Sequence, residues 1–148
     1  MEASARRWGA LAAFGLLSTL PQAVSAAEPC KLLTVQEIAQ VLGASVSPPT
    51  PLGTTGCLWS GSAQRVNIAL RPAKAWASIT MPGPGITKTS VSGLGEAASI
   101  SSMDNQNFLT LSVKQGANVI ILTVSGVNGT ERQRSAEEAL ARLALGRL

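Results

Sequence analysis

The stretch FLTLSVKQGANVIILTVS, residues 108–125, decides the fold class of this chain. Apolar and polar residues alternate from Leu109 to Val113, which is the pattern of a strand with one buried face. After a short turn at residues 115–117, the run that begins at Val119 is apolar on both faces. The stretch therefore predicts two antiparallel strands, the second of them in the centre of a sheet.

Three more strands are predicted on the N-terminal side of this stretch. Residues 97–103 precede it across a turn at residues 104–106, which is short enough to join antiparallel neighbours. Residues 65–71 alternate cleanly, and a glycine turn links them to the β-type residues 56–60, so these two segments predict a hairpin. The chain therefore carries five predicted strands.

A first helix is predicted by the capping-box pair Thr34 and Glu37. In such a pair the side chain of each residue can accept a hydrogen bond from the backbone N–H of the other. The pattern predicts a helix over residues 35–42, because apolar residues recur there at helical spacing and Gly43 can adopt the left-handed conformation that ends a helix.

A last helix is predicted from Thr130, which forms a second capping-box pattern with Gln133, to about residue 147. Its polar side carries Arg134, Glu138 and Arg142 at i,i+4 spacing. Its buried stripe is predicted to contain Ala136, Ala139, Leu140, Leu143 and Ala144.

Two segments are predicted to be irregular. Residues 47–53 contain three prolines, which exclude a helix or a central strand, and we expect a loop there. Residues 81–95 form the longest irregular segment, either a mobile loop or a binding loop. Between the predicted hairpin and this loop, Pro72 can begin one or two helical turns that pack Trp76 inward.

The N-terminus has the features of a secretory signal peptide over residues 1–26. Arg6 and Arg7 are followed by an apolar run that ends near Leu20 and is too short to span a bilayer. Small residues predict cleavage after Ala26, with Ala27 as the alternative. We therefore expect a single periplasmic or secreted domain over residues 27–148, without a stable membrane anchor after cleavage.

Cys30 and Cys57 are the only cysteines, and an isolated pair in an exported chain predicts a disulfide. The chain has no histidine, and two thiols alone cannot complete a tetrahedral zinc site, so we expect neither a metal nor a cofactor. With these features the sequence predicts an α+β fold: an antiparallel five-stranded sheet with two main helices packed on one face, and one disulfide.

Four motifs lie along the chain: Pro29-Cys30-Lys31-Leu32-Leu33-Thr34, Val41-Leu42-Gly43, Cys57-Leu58-Trp59 and Val91-Ser92-Gly93-Leu94-Gly95-Glu96-Ala97-Ala98. Together they resemble a family of small exported bacterial proteins of unknown function, many of them lipoproteins. The resemblance implies a cysteine bridge, an α+β domain and an envelope location, and it supplies no catalytic residue. Unlike the lipoprotein members, this chain has no small residues directly before Cys30 that would direct lipidation.

Catalytic patterns are scarce in the sequence. The absence of histidine excludes an imidazole-based triad, and Lys88-Thr89-Ser90 resembles the lysine motif of penicillin-interacting enzymes without the accompanying Ser-x-x-Lys. A hydrolase that uses Lys88 or Glu96 in residues 81–96 is kept as the alternative.

The function that we expect is a small non-catalytic binding module, whose partner is an envelope protein or a small ligand. The net charge of +4 is scattered along the chain, which argues against a nucleic-acid partner. We expect the binding surface on the open face of the sheet and in the loop at residues 81–95. The candidate residues are Asn67, Met81, Lys88, Thr110 and Ser112.

Overall fold

The computed structural model describes residues 26–104 and 106–148, which form one seven-stranded antiparallel sheet and three helices. The strands are β1 Thr50–Leu52, β2 Gly56–Ser60, β3 Arg65–Pro72, β4 Ile86–Val91, β5 Ala97–Met103, β6 Leu109–Gln115 and β7 Asn118–Ser125. The helices are α1 Val35–Leu42, α2 Trp76–Ile79 and α3 Thr130–Leu145, with short 3-10 turns at Pro29–Lys31 and Ala73–Ala75. The predicted signal peptide, apart from Ala26, and Asn105 lie outside the described residues.

The prediction of a five-stranded sheet is wrong, because two edge strands were missed. From one edge to the other the order is β1, β2, β3, β7, β6, β5, β4. Strand β1 lies in the proline-rich segment predicted as a loop, and Pro51 is tolerated there because β1 pairs only with β2. Strand β4 lies in the predicted loop at residues 81–95 and pairs only with β5. Its largely polar sequence lacks the clean alternation that identified the interior strands.

The five strands predicted from the sequence correspond to β2, β3, β5, β6 and β7. Strand β7, which was expected in the centre, is the fourth of seven and pairs with β3 and β6. Because opposed residues in an antiparallel sheet share a face, the register places Trp59, Val66 and Val124 in one row on the face that we call the helix face. All three are fully buried.

The helix face carries α1 and α3. Helix α3 packs against β6 and β7, and α1 packs against α3. The capping box of α1 is confirmed, because Thr34 Oγ1 accepts from the Glu37 N–H over 3.2 Å and Glu37 Oε2 accepts from the Thr34 N–H over 2.9 Å. Arg147, at the C-terminal end of α3, binds the same Glu37 carboxylate with Nη2–Oε1 at 2.7 Å. None of the described helices has the length and apolarity needed to cross a bilayer.

The capping box predicted for α3 does not form. Gly129, which has no side chain to cap the helix, occupies the N-cap position with a φ of 91°. Gln133 instead turns inward, and its Nε2 donates to the carbonyl of Val124 over 2.6 Å. The buried stripe is rotated relative to the prediction, so that Leu143 is exposed and the buried residues are Gln133, Ala136, Glu137, Leu140, Ala141 and Ala144.

The predicted disulfide between Cys30 and Cys57 is confirmed, with their Cα atoms 5.1 Å apart. It joins the 3-10 turn that precedes α1 to β2, and Cys57 is fully buried among the core residues. The bridge therefore fixes the approach to α1 against the sheet. A disulfide of this kind is compatible with a periplasmic or extracellular protein.

Candidate functional site

The side of the sheet opposite α1 and α3, which we call the open face, carries a row of polar side chains. Lys88 on β4 is opposite Ser101 on β5, which is opposite Thr110 on β6. The Oγ1 atoms of Thr110 and Thr123 are 3.4 Å apart, and Thr123 is opposite Asn67 on β3. The register therefore brings three of the predicted surface residues, Asn67, Thr110 and Lys88, into one line across five strands.

Part of the open face is covered by the segment that contains α2. Ser99, Ser112 and Val119 point to this face by register, yet they are buried. The helical turns predicted after Pro72 are confirmed, and Trp76 lies in a shallow depression beside Ser99. Ser112, which was expected on the binding surface, is 2% exposed and so offers almost no surface of its own.

The part of the open face that α2 leaves free is a groove of about 260 Å³ with a largely apolar lining. Its polar lining residues are Lys88, Ser101, Thr110 and Ser112, and its apolar lining residues, which we call the apolar walls, are Ile79, Ile86, Met103, Phe108 and Ile121. Met103 and Phe108 remain 42% and 40% exposed. Met81, the remaining predicted residue, is exposed on the segment between α2 and β4 and is not among the residues that line the groove.

Lys88 provides the charge of the groove. Its Nζ donates to the carbonyl of Ile79 over 2.8 Å and to Ser101 Oγ over 2.6 Å. Both acceptors are neutral, and Lys88 forms no salt bridge within the described part of the chain. An ammonium group has three N–H donors, so one donor and a full positive charge are left for a ligand.

The residues of the alternative hydrolase site are not brought together. Glu96 Oε1 accepts from the backbone N–H of Gly116 over 2.8 Å, and its Oε2 is 3.9 Å from the Nζ of Lys114. Glu96 therefore supports the turn between β6 and β7, while Lys88 interacts with Ser101. Among residues 26–104 and 106–148, no group of three or more His, Cys, Asp or Glu side chains is placed to hold a metal ion.

Lys88 and Ser101 do have the spacing of a Ser-Lys pair. In such a pair the amine must be neutral in order to accept the hydroxyl proton. Here Lys88 Nζ is the donor to both the Ile79 carbonyl and Ser101 Oγ, so it does not accept the Ser101 proton in this arrangement. The arrangement therefore suits binding of an anion better than activation of Ser101 as a nucleophile.

Two carboxyl groups with shifted pKa values lie away from the groove. Burial raises the pKa of Glu137 on α3 to about 7, although its Oε1 accepts from the Val124 N–H over 3.0 Å. The hydrogen bond from Arg147 lowers the pKa of Glu37 to about 2, and the bonds from Thr34 act in the same direction. Both groups connect elements of the fold and neither lines the groove.

A larger depression, of about 500 Å³, lies between α1 and α3. Its apolar lining comes mainly from small and partly buried side chains such as Val41, Leu42 and Ala139, and its rim carries the opposite charges of Glu131 and Arg132. It has the character of a gap between two packed helices. The smaller groove on the open face combines large exposed apolar side chains with a charge that has no ion-pair partner in residues 26–104 and 106–148, which are the features of a binding site.

Sequence reasoning missed Ser101, Met103 and Phe108 as groove residues. The alternation of Ser99, Ser101 and Met103 along the predicted strand was visible, but it does not show which strands are neighbours. The pairing of β4 with β5 is needed to bring Lys88 next to Ser101. No local pattern predicts that pairing, because β4 was taken for a loop.

No protein-family model, curated protein or solved structure matches this chain. The resemblance to small exported bacterial proteins therefore stays a prediction, and a function has to be derived from the groove itself.

Proposed function

We propose that this protein is a small, non-catalytic binding module of the bacterial cell envelope, and that it binds an amphipathic ligand in the groove on the open face. The observation that carries the proposal is the exposure of Met103 and Phe108 beside the ammonium of Lys88, which forms no salt bridge with any residue that the structure describes. The disulfide and the predicted signal peptide support an exported location.

The size of the groove supports a small ligand or a single chain. Sites for drug-sized molecules have volumes of about 300 to 1,000 Å³, and this groove, at about 260 Å³, is smaller. A ligand that buries about as much apolar surface as one large side chain gains roughly 1.5 to 3 kcal/mol of binding free energy. We therefore expect weak binding of a simple probe, with a Kd of about several millimolar or more.

Chemical-shift mapping with 1-octanol on the oxidised, ¹⁵N-labelled protein tests this proposal. We expect saturable shifts at the amides of β4, β5, β6 and α2. Met103→Ser should weaken binding by about tenfold, because it removes apolar contact area. Leu52→Ser is the matched control, since Leu52 is also 42% exposed but lies at the opposite edge of the sheet.

Two outcomes would contradict the proposal. One is the absence of any saturable shift. The other is a set of shifts that map to the depression between α1 and α3, or that respond equally to Met103→Ser and Leu52→Ser.

The hydrolase is the second candidate, because Lys88 Nζ and Ser101 Oγ are 2.6 Å apart. A fluorophosphonate probe, which labels activated serines, separates it from the binding module. The binding module predicts no labelling above that of Ser101→Ala. Labelling that is lost in Ser101→Ala and in Lys88→Met would favour the hydrolase.

A further inference from the structure

We infer that the ligand of this groove is a single-chain amphiphile with an anionic head group, of the fatty-acid class, whose carboxylate pairs with Lys88. The inference rests on the proposed function, and it adds the charge and the chemical class of the ligand. It follows from how the polar lining residues and the apolar walls are arranged.

The charge of the groove selects an anion. Lys88 is the only ionisable side chain among the residues that line it, and its two hydrogen-bond acceptors are neutral. A charged amine that is partly removed from water without a counter-ion is stabilised by any anion that reaches it. A cationic head group would be repelled, and a neutral one would leave the charge uncompensated.

The hydrogen-bonding groups beside Lys88 fit a carboxylate. Ser101 Oγ accepts from the ammonium, so the proton of its hydroxyl is available to donate. Thr110 is the next residue in the same row, and its hydroxyl is only weakly engaged, with Thr123 Oγ1 3.4 Å away. One ammonium N–H and two hydroxyl groups in a line can satisfy the two oxygen atoms of a carboxylate.

The walls fit an alkyl chain. Ile86 on β4 is opposite Met103 on β5, at the end of the paired region. These two residues lie two positions along their strands from Lys88 and Ser101, and therefore on the same face of the sheet. Phe108 and Ile79 line the same groove. The apolar walls therefore begin next to the ammonium, and a ligand with its head on Lys88 can lay its chain against them. The small volume favours one flexible chain over a ring system.

Calorimetry with three eight-carbon probes below their micelle-forming concentrations tests the inference on the full oxidised protein. We expect octanoate to bind at least about tenfold more tightly than 1-octanol, since a hydrogen bond to a charged group contributes more than a neutral one. Octylammonium should bind more weakly than 1-octanol. From hexanoate to octanoate each added methylene should increase affinity roughly fourfold.

Variants of Lys88 assign the preference to this side chain. Lys88→Met should remove the difference between octanoate and 1-octanol, and Lys88→Arg should retain it. Lys74→Met is the matched control, because Lys74 is an exposed lysine of the 3-10 turn next to α2 and lies outside the groove. If Lys88→Met fails to fold, the salt dependence of binding to the wild type replaces this test. Added salt should weaken the binding of octanoate and leave the affinity for 1-octanol unchanged.

The outcomes separate this inference from the proposed function. Equal affinities for octanoate and 1-octanol, or a preference that survives Lys88→Met, would overturn the carboxylate assignment and leave the groove as a binding site. Failure of both probes to bind would overturn the proposed function as well.

Discussion

Oε1 of Glu137 accepts a hydrogen bond from the backbone N–H of Val124 over 3.0 Å, so that a helix side chain completes the hydrogen bonding of the central strand. The carbonyl of Val124 accepts a hydrogen bond from Gln133 Nε2 over 2.6 Å. The last residue pair between β6 and β7 is Leu111 and Leu122. Val124 lies beyond this pair and is therefore not paired with β6. Glu137 and Gln133 of α3 therefore supply the hydrogen bonds that a neighbouring strand would make to Val124. This explains why these two polar residues face the core.

The buried carboxyl of Glu137 predicts a stability that falls as the pH rises. Its pKa in the folded protein is about 7, above the usual 4.5, because burial disfavours the charged form. Between these values the folded state keeps a proton that the unfolded state releases, so each increase in pH favours unfolding. Urea unfolding from about pH 5 to pH 8 should show a loss of up to about 3 kcal/mol.

Glu137→Gln tests the source of this pH dependence. Glutamine keeps an oxygen acceptor for the N–H of Val124 and has no charge to bury, so the loss between pH 5 and pH 8 should largely disappear. The same slope in the wild type and in the variant would show that another group is responsible.

The ion pair between Arg147 and Glu37 predicts a loss of stability at lower pH. Arg147 Nη1 also donates to the carbonyl of Leu32 over 2.9 Å, so the guanidinium holds α3 to the segment around the start of α1. The pKa of Glu37 is lowered to about 2, chiefly by the hydrogen bond from Arg147. Stability from this pair is therefore present above about pH 4.5 and is lost as the pH falls toward 2.

Arg147→Met should lower the free energy of unfolding by about 1 to 2 kcal/mol at neutral pH, since the pair is bidentate but partly screened by solvent. Chemical unfolding measures this change. Arg142→Met is the control, because Arg142 forms an exposed contact of 3.6 Å with Glu138, which should contribute less than about 0.5 kcal/mol. Equal effects of the two substitutions would contradict a specific role for Arg147.

The disulfide between Cys30 and Cys57 closes a loop with a sequence separation of 27 residues. On the chain-entropy account, a loop of this length stabilises the fold by about 3.5 kcal/mol. Thermal unfolding should therefore show a lower Tm under reducing conditions. The double variant Cys30→Ala/Cys57→Ala should have a low Tm that reductant does not change. A wild-type Tm that is insensitive to reduction would show that the bridge does not contribute.

The interior of the sheet could be predicted from the sequence because β3 and β6 alternate, β7 is apolar on both faces, and short turns separate the strands. The edge strands could not: β1 contains Pro51, and β4 is polar and half exposed, so neither has a core-facing pattern. The rotation of α3 was also hidden, since Gln133 and Glu137 are polar residues that are buried because they bond to the main chain of Val124. A hydrophobic pattern cannot show such a contact.

The candidate site was partly visible in the sequence. Asn67 and Thr110 were expected on one face and Lys88 in the loop at residues 81–95, and the register places all three in one row. The burial of Ser112 could not be foreseen, because it depends on where α2 crosses the open face. The apolar walls depend on the pairing of β4 with β5, which is a long-range contact without a local signal.

The most direct test of the groove as the ligand site is a set of intermolecular NOEs between octanoate and the methyl groups of the oxidised protein. We predict contacts from the chain protons of octanoate to Met103, Ile86 and Ile79, with the carbon next to the carboxylate closest to the side chain of Lys88. Contacts to Val41, Leu42 and Ala139 in the depression between α1 and α3, without contacts to Met103, would contradict this account.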